Sequence, residues 1–293
     1  MEYEEIVRRN REILSRPLKA IPEEKLARER DLYYRRNRRS REIFEKAKNL
    51  IERGAVWKDD PRSLAEGSDV VITMVGYPAD VEHVYLGERG LLEGARPGTV
   101  LIDMTTSSPG LAARIAEEGK KKGVSVLDAP VSGGDRGARE ATLSIMVGGD
   151  EKVFNDMAPL FSVMGKGIVL QGGPGSGQHT KMSNQIAIAS GMMGVCEAVV
   201  YAKKAGLDPD RVLSSISAGA AGSWSLSNLA PRMLRGDFAP GFFVKHLIKD
   251  MKIALEEAKG MGMETPGLAR TLELYEELAS MGYENDGTQA LYR

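Results

Sequence analysis

The chain has 293 residues, 42% of them hydrophobic and 28% charged, which is the composition of an ordinary globular protein long enough for two domains. Its formal net charge of −1 gives no electrostatic argument for binding to nucleic acid or to a membrane surface. The single cysteine, Cys196, excludes an intrachain disulfide and is typical of a reducing compartment, so we expect a cytoplasmic protein.

The first 53 residues form a basic segment that contains no glycine. Residues 6–14 and 40–54 carry apolar side chains at three- and four-residue spacing, which predicts an amphipathic helix in each. Two prolines within residues 15–26 predict a turn or linker between these helices. The arginines of residues 35–41 are consistent with a nucleic-acid arm, but a solvated helix face explains them more simply.

Short apolar runs alternate with helical patterns between residues 54 and 173. Each run is rich in β-branched residues and predicts a buried strand; the runs are residues 69–75, 99–104, 124–131, 143–149 and 167–173. The helical patterns lie at residues 78–87, 108–123 and 150–165. This alternation predicts an α/β fold with a doubly wound, Rossmann-like and mainly parallel sheet. The sheet lacks a recognisable first β-α-β unit.

Beyond Gly177 the patterns are helical and predict an all-α domain. The longest predicted helix covers residues 179–206. Its apolar run is interrupted by Glu197 and is short for a bilayer span, so we interpret it as a buried core helix and expect no membrane partner. Asp208 and Pro209 are typical of an N-cap and a first helical position. Further helices are predicted at residues 223–234, 246–262 and 267–282.

These patterns predict three parts. Residues 1–53 form an atypical helical N-terminal segment, and residues 54–173 form the remainder of an α/β domain. Residues 174–293 form the all-helical C-terminal domain.

A serine and two glycines follow the third predicted strand, at the edge where open α/β sheets bind ligands. Ser132 offers a hydroxyl group, while Gly133 and Gly134 allow close approach of backbone N–H groups. Such donors suit a carboxylate, although an ordinary glycine turn has the same sequence.

A lysine stands in the first turn of the longest predicted helix. If Lys181 is buried, its pKa falls and it can act as a general acid or base; a lysine that reaches solvent is the alternative. Asn184 and Gln185 lie three and four residues further on and share its face.

Lys249 and Asp250 lie among apolar residues, so a solvated helix face does not explain them fully, and Asp250 can pair with a buried cation. The three histidines, His83, His179 and His246, are far apart in sequence. No pair has the spacing of metal ligands, so we predict no metal site.

Taken together, five stretches in order resemble the β-hydroxyacid dehydrogenase family, which includes 3-hydroxyisobutyrate dehydrogenases and tartronate semialdehyde reductases. They are DVVITMVGYPADV, DMTTSSP, DAPVSGG, GSGQHTKMSNQ and GFFVKHLIKDMKIALEEA, and the similarity covers residues 54–293. The resemblance implies an oxidoreductase that uses NAD or NADP on a small β-hydroxy acid. It also implies a homo-oligomer, a dimer or a tetramer.

The resemblance implies a role for each matching residue. Lys181 would be the catalytic acid or base. Asn184 would orient the substrate or the lysine, and Asp250 would support Lys181. The substrate would contact Ser132, Gly133, Gly134, Thr106 and Phe242. The cofactor would contact Met74, Val75, Gly76, Thr106 and Lys249. Gln185 stands where some members have a second asparagine, so its role is left open.

One part of the family pattern is missing. The family opens with a strand and a Gly-x-Gly-x-x-Gly loop that binds the pyrophosphate, whereas this chain has no glycine before Gly54. Loss of two or three charge-assisted hydrogen bonds corresponds to a factor of about 10²–10⁶ in cofactor affinity. Residues 46–55 match the family's second helix, while residues 37–51 resemble the start of class III aminotransferases.

Three explanations of this N-terminus are left open. One is an active dehydrogenase with altered cofactor binding. Another is a non-catalytic dehydrogenase-like protein kept for dimerisation or for binding a small acid. The last is a chimeric gene product, made by a true fusion or a faulty gene model.

Overall fold

The computed structural model describes the chain from Arg38 to Arg293, with side chains from residue 45 onward. The helix predicted at residues 6–14, the linker at 15–26 and the arginines at 35–36 lie outside the described residues. The chain divides between residues 60 and 61 into two units, of which the structure describes residues 38–60 and 61–293. In the first unit, helix α1 (Arg38–Glu52) confirms the helix predicted at residues 40–54.

The described part of the second unit contains a six-stranded sheet. The strands lie in the order β1–β2–β3–β5–β4, and β6 pairs with β5 on a separate branch. Parallel pairs join β1 to β2, β2 to β3 and β5 to β6, whereas β5 is antiparallel to β3 and β4. The sheet is therefore mainly parallel, as predicted. The strands are β1 (Val70–Thr73), β2 (Val100–Asp103), β3 (Ser125–Asp128), β4 (Val131–Ser132), β5 (Leu143–Gly148) and β6 (Gly165–Gly172).

Proline explains one departure from the predicted strands. Residues 124–131 were expected to form one strand, but the structure divides them between β3 and β4. Pro130 lies at the break and has no N–H group to continue a ladder. Beyond it the ladder with β2 ends, and Val131 pairs with Ile145 of β5.

Strand β1 is an edge strand within the described part of the sheet. It pairs with β2 and stands at one end of the strand order. Ile72 is 40% exposed, and Met74, just beyond the strand, is 64% exposed. One side of β1 therefore has no strand partner among the described residues, as fits a sheet without a recognisable first β-α-β unit.

Helices connect the strands of this α/β part. The helices predicted at residues 78–87, 108–123 and 150–165 are confirmed, and Ser108 and Asp150 cap the last two by accepting from the N–H groups of Leu111 and Val153. The remaining helices are too short for sequence periodicity to indicate. The full set is α2 (Pro61–Glu66), α3 (Pro78–Leu86), α4 (Leu91–Gly94), α5 (Pro109–Lys121), α6 (Gly134–Arg139) and α7 (Glu151–Ser162).

The C-terminal part is all helical, as predicted. Asp208 is the N-cap of its second helix and accepts from the N–H groups of Asp210 and Arg211, at 3.0 and 3.3 Å. The helix predicted at residues 223–234 is divided into two, since Pro231 cannot donate a backbone hydrogen bond. The helices are α8 (Ser176–Lys204), α9 (Pro209–Ile216), α10 (Trp224–Asn228), α11 (Ala230–Leu234), α12 (Val244–Gly260) and α13 (Pro266–Leu278), followed by a π-helical turn (Ala279–Tyr283) and a 3₁₀ helix (Thr288–Tyr292).

Three hydrophobic clusters hold these parts together. Leu101 and Ile102 are neighbours in β2 but belong to different clusters, so two of the clusters cover opposite faces of the sheet. The third cluster lies among the C-terminal helices around α8. That helix is long and apolar enough to cross a membrane by length and composition. Its buried residues include Cys196, whose pKa is raised to about 12 by burial and then by the charge of Glu197.

Candidate active site

The carboxyl ends of β1 and β2 are joined by side-chain contacts. The hydroxyl oxygen of Thr105 accepts from the backbone N–H of Val75, 2.9 Å away. The N–H of Thr105 in turn donates to Oδ1 of Asp103, at 3.0 Å. Burial raises the pKa of Asp103 to about 6, against the opposing effect of its Thr105 hydrogen bonds. These contacts fix the loop after β1 against the loop after β2.

Gln178, in the first turn of α8, holds the loop after β2. Its Oε1 accepts from the N–H of Ser107 at 2.9 Å, and its Nε2 donates to the carbonyl oxygen of Thr105 at 2.7 Å. The side chain is fully buried. Both ends of one amide are therefore committed to the backbone of the Asp103–Ser108 loop, which ties the helical part to the sheet.

Asp128, at the end of β3, holds the start of α8. Its Oδ1 accepts from the N–H of Gly175 at 2.7 Å, and its Oδ2 accepts from the N–H of Gln178 at 2.8 Å. Backbone N–H groups at a helix N-terminus are free of helical partners and favour a negative charge. Burial raises the pKa of Asp128 above its usual value, and the hydrogen bonds from Gly175 and Gln178 oppose that rise.

The sequence prediction did not assign roles to Asp128 and Gln178. Their partners lie 47 to 73 residues away in the chain. No local spacing indicates such contacts. The one available signal was a charged residue, Asp128, within an otherwise uncharged predicted strand.

Lys181 lies one turn beyond Gln178 and is buried. Its ammonium group donates to the carbonyl oxygen of Val131, 2.8 Å away. Burial lowers its pKa to about 8; the charge of Asp250 opposes this shift, and the charge of Lys249 adds to it. Lys181 is therefore a buried lysine of the kind that can exchange a proton near neutral pH.

Asn184, Gln185 and Asp250 form a hydrogen-bonded series next to this lysine. Asn184 Nδ2 donates to Gln185 Oε1 at 2.7 Å, and Gln185 Nε2 donates to Asp250 Oδ2 at 2.5 Å. Gln185 and Asp250 are both buried. The series joins α8 to α12 across the helical part.

Lys249 extends this series to the sheet. Its Nζ lies 3.0 Å from Asp250 Oδ1 and donates to the carbonyl oxygen of Thr106 at 2.5 Å. The lysine is nearly buried, with 11% of its side chain exposed. One ammonium group therefore contacts both the loop after β2 and the carboxylate of α12.

Ser132, Gly133 and Gly134 lie directly after the residue that accepts from Lys181. Gly133 and Gly134 have φ values of +131° and +62°, which favour glycine, and both are exposed. A Cβ atom on Gly134 would be 3.6 Å from the carbonyl oxygen of Gly241. The glycine turn therefore faces the segment that leads into α12.

The predicted residues Met74, Val75, Gly76 and Phe242 lie around His246 or on the loop that faces it. The ring of His246 is 6.5 Å from that of Phe242 and 5.6 Å from that of Tyr77, between ring centres. A Cβ atom on Gly76 would be 3.9 Å from Cε1 of His246. Burial lowers the pKa of His246, and the charges of Lys249 and Lys245 lower it further. The sequence prediction did not assign His246 to this site.

The predicted residues therefore fall at one junction between the sheet and the C-terminal helices. Hydrogen bonds or ion pairs connect Thr106, Lys249 and Asp250 into one set, and Lys181 contacts the strand that leads to the glycine turn. Among the described residues, no group of three or more histidine, cysteine, aspartate or glutamate side chains is arranged to hold a metal ion.

The resemblance implies that the nicotinamide half of a dinucleotide would lie at the loops after β1 and β2. The loop after β1 is open, with Met74 exposed, and the ammonium group of Lys249 lies next to the end of β2. The pyrophosphate half lacks its usual support, because the sequence has no glycine before Gly54 to allow close backbone approach.

Comparisons with known proteins agree with this geometry. The NAD-binding domain of 6-phosphogluconate dehydrogenase matches residues 37–173, and the NAD-binding domain of NADP-dependent 3-hydroxyisobutyrate dehydrogenase matches residues 175–293. An uncharacterised oxidoreductase of Bacillus subtilis is 61% identical over 249 residues, 85% of this chain and 86% of that protein.

Two further relatives have named activities. The 2-hydroxy-3-oxopropionate reductase of Escherichia coli is 42% identical over 80% of this chain and 81% of its own length. A 3-hydroxyisobutyrate dehydrogenase of Mycobacterium tuberculosis, solved with L-serine, is 29% identical. It matches 84% of this chain and 86% of that chain with a TM-score of 0.77. The chain therefore belongs to the β-hydroxyacid dehydrogenase family of oxidoreductases, whose cofactor is NAD or NADP.

Proposed function

We propose that this chain interconverts a small β-hydroxy acid and its oxo acid, with a substrate of the 3-hydroxyisobutyrate or tartronate semialdehyde type. The observation that carries the proposal is the buried ammonium group of Lys181, 2.8 Å from the carbonyl oxygen of Val131. It supports the proposal because the lysine lies next to the glycine turn, whose exposed backbone suits a carboxylate.

Lys181 moves the proton in this proposal. In oxidation its neutral amine accepts the proton of the substrate hydroxyl group, and in reduction its ammonium donates a proton to the carbonyl oxygen. A pKa of about 8 keeps both forms accessible near neutral pH. Asp250 opposes the effect of burial on Lys181, so its carboxylate sets how easily the lysine is protonated.

The substrate carboxylate would lie at the glycine turn. Ser132 supplies a hydroxyl group, and Gly133 and Gly134 supply exposed backbone with N–H groups. Thr106 would lie beside the reacting carbon; its carbonyl oxygen accepts from Lys249, which also pairs with Asp250. Phe242 would form an apolar wall of the site.

The cofactor would be held by the loop after β1, at Met74, Val75 and Gly76, and by Lys249. When bound, the nicotinamide takes up or supplies the hydride that changes the oxidation state of the hydroxyl-bearing carbon. Lys249 contributes a positive charge and Thr106 a fixed loop at the end of β2.

The relatives support a small acid as the substrate. One acts on 2-hydroxy-3-oxopropionate, which is tartronate semialdehyde, and another is a 3-hydroxyisobutyrate dehydrogenase solved with L-serine. These acids share a carboxylate and an oxygen on the β-carbon. In this proposal the residues around Lys181 bind those shared groups, and the assay with the two acids identifies the side group.

The test begins with nucleotide binding. NADH and NADPH are titrated separately, with nucleotide fluorescence as the signal, and 3-hydroxyisobutyrate and tartronate semialdehyde are then assayed with the nucleotide that binds. Saturable binding together with turnover of either acid supports the proposal. Binding without turnover of any small hydroxy acid contradicts it.

The missing glycine loop favours a second candidate, a dehydrogenase-like protein that binds a small acid without catalysis. It predicts that neither nucleotide binds at millimolar concentration, while a hydroxy acid still produces heat in isothermal titration calorimetry. The DNA upstream of codon 46, read in all frames, provides a separate check, since a glycine loop encoded there would assign the unusual N-terminus to a faulty gene model.

A further inference from the structure

A cavity of about 600 Å³ lies at the end of α8 that is remote from the candidate active site. Lys204, in the last turn of α8, lines this cavity. Lys181 lies near the other end of the same helix, about 35 Å away along a straight helix axis. The volume of the cavity is within the range of about 300–1,000 Å³ that is typical of binding sites for small molecules.

The polar side chains that line this cavity can all donate hydrogen bonds, and none of these lining side chains is a carboxylate or an amide. They are Lys203, Lys204, Tyr283, Tyr292 and Arg293. Three of them carry a positive charge. Like charges that face one space repel each other, so the cavity favours an anion.

The guanidinium group of Arg293 is restrained by two aromatic rings and one carboxylate. Its central carbon lies 4.1 Å from the ring centre of Phe238 and 4.4 Å from that of Tyr283. Its Nη2 donates to Asp286 Oδ2 at 3.1 Å, which uses one of the five N–H donors of the group. A guanidinium that is already restrained loses little side-chain entropy when it binds a phosphate or a carboxylate.

The two lysines lack a counter-charge. Lys203 Nζ lies 5.2 Å from the ring centre of Tyr292, and neither Lys203 nor Lys204 forms an ion pair with a described residue. The helix dipole favours basic residues in the last turn of a helix, which explains their presence at the end of α8. It does not explain why they share one cavity with Arg293, which belongs to a different element.

Val200 and Phe238 form the apolar part of the cavity wall. Val200 is 43% exposed and Phe238 is half-buried, so both present apolar surface that a ligand can cover. A phosphate monoester carries a charge of about −1.5 to −2 near pH 7 and has three strong acceptor oxygens. It matches three cations better than the single charge of a carboxylate does.

We propose that this cavity is a binding site for a small phosphate monoester with an apolar organic group. Lys203, Lys204 and Arg293 bind the phosphate oxygens, while Val200 and Phe238 contact the organic group. The site is separate from the candidate active site and does not depend on the proposed function, because none of its residues belongs to the set around Lys181.

Isothermal titration calorimetry with phenyl phosphate tests this site. Inorganic phosphate and phenol are titrated in parallel, because they represent the anionic part and the apolar part alone. The proteins compared are the native chain, the double variant Lys203→Gln with Lys204→Gln, and the variants Lys259→Gln and Lys181→Ala. Lys259 is an exposed lysine in the last turn of α12 and does not line the cavity, so its replacement removes the same charge from a matched position.

We expect one molecule of phenyl phosphate to bind per chain, at least about tenfold more tightly than inorganic phosphate or phenol. Loss of a charge-assisted hydrogen bond corresponds to about tenfold weaker binding or more, so the double variant should bind phenyl phosphate about 10- to 100-fold more weakly. Lys259→Gln and Lys181→Ala should match the native chain. Added salt should weaken the binding, since it screens exposed charges.

Equal affinity of the double variant and the native chain for phenyl phosphate would overturn the proposal, as would the absence of saturable binding. Binding of inorganic phosphate or of phenol as tight as that of phenyl phosphate would also overturn it, because one part of the ligand would then suffice. Loss of binding in Lys181→Ala would place the probe at the candidate active site and contradict a separate site.

Discussion

The ammonium group of Lys181 donates to the carbonyl oxygen of Val131, and this contact joins the first turns of α8 to the strand that precedes the glycine turn. Residues 50 positions apart in the chain are thereby brought into one site. The contact also explains how a buried lysine is accommodated, since its charge keeps one fixed acceptor after it leaves water.

Replacement of this lysine tests its role in proton transfer. We expect Lys181→Ala to reduce turnover by a factor of about 10²–10⁴ or more, because general acid–base catalysis contributes that much. Nucleotide binding should change little, and the fold should persist. Steady-state kinetics with fluorescence titration measure both effects.

Lys252→Ala is the matched control, since Lys252 lies on the surface of α12 in an exposed pair with Glu276. It should leave turnover unchanged. Native-like activity of Lys181→Ala would refute the assignment of the catalytic group.

The pH dependence should follow the lowered pKa of Lys181, which is about 8. Oxidation requires the neutral amine, so its kcat/KM should rise with pH and level off above pH 8. Reduction requires the ammonium form, so its kcat/KM should fall above pH 8. Initial rates in both directions between pH 6 and pH 10 measure these profiles.

Asp250→Asn tests the same assignment by the direction in which the pH profile moves. Asp250 opposes the lowering of the Lys181 pKa, so its removal should lower that pKa further. The oxidation profile should then move to lower pH. A shift to higher pH would show that another group controls the profile.

Asp128 should be important for stability as well as for the site. Its carboxylate accepts two backbone N–H groups at the start of α8, and Asp128→Ala leaves both without this partner. We expect the free energy of unfolding to fall by about 2–5 kcal/mol, measured by urea denaturation. Asp156→Ala removes a surface pair with Lys152 and should change it by less than about 1 kcal/mol. Similar losses in the two variants would contradict this anchoring role.

Two glycines in α8 should respond oppositely to alanine. A Cβ atom on Gly177 would lie 2.3 Å from the carbonyl oxygen of Met146 and 2.7 Å from that of Asp128. Gly177→Ala should therefore destabilise the protein by about 1–3 kcal/mol or more. A Cβ atom on Gly191 meets nothing within 4 Å, so Gly191→Ala should stabilise it by about 0.5–1 kcal/mol. Thermal melting distinguishes the two, and equal shifts would contradict the close approach at Gly177.

The order of strands and helices was predictable because each long element has a local apolar pattern. The sequence left two alternatives for Lys181, a buried lysine and one that reaches solvent, and the structure shows the buried one. The antiparallel pairing of β5 with β3 was not predicted, because periodicity indicates a strand but not the direction of its neighbour.

The contacts that position the site were the least predictable part. No role was predicted for Gln178, which stands in a glycine-rich stretch, and its partners lie 71 and 73 residues away. Gln185 meets Asp250 across 65 residues. A single uncharged glutamine gives no local sequence signal. Its hydrogen-bond partners become evident only once the helices are packed together.

The anchoring of α8 by Asp128 also fixes which side of the helix faces the protein interior. Gln178, Lys181 and Gln185 are spaced three and four residues apart, so all three project from one stripe of the helix into the protein. One residue inserted between Gln178 and Lys181 would turn everything beyond it by about 100° and advance it by about 1.5 Å. The length of this short stretch is therefore as strict a requirement for the site as the identity of the lysine itself.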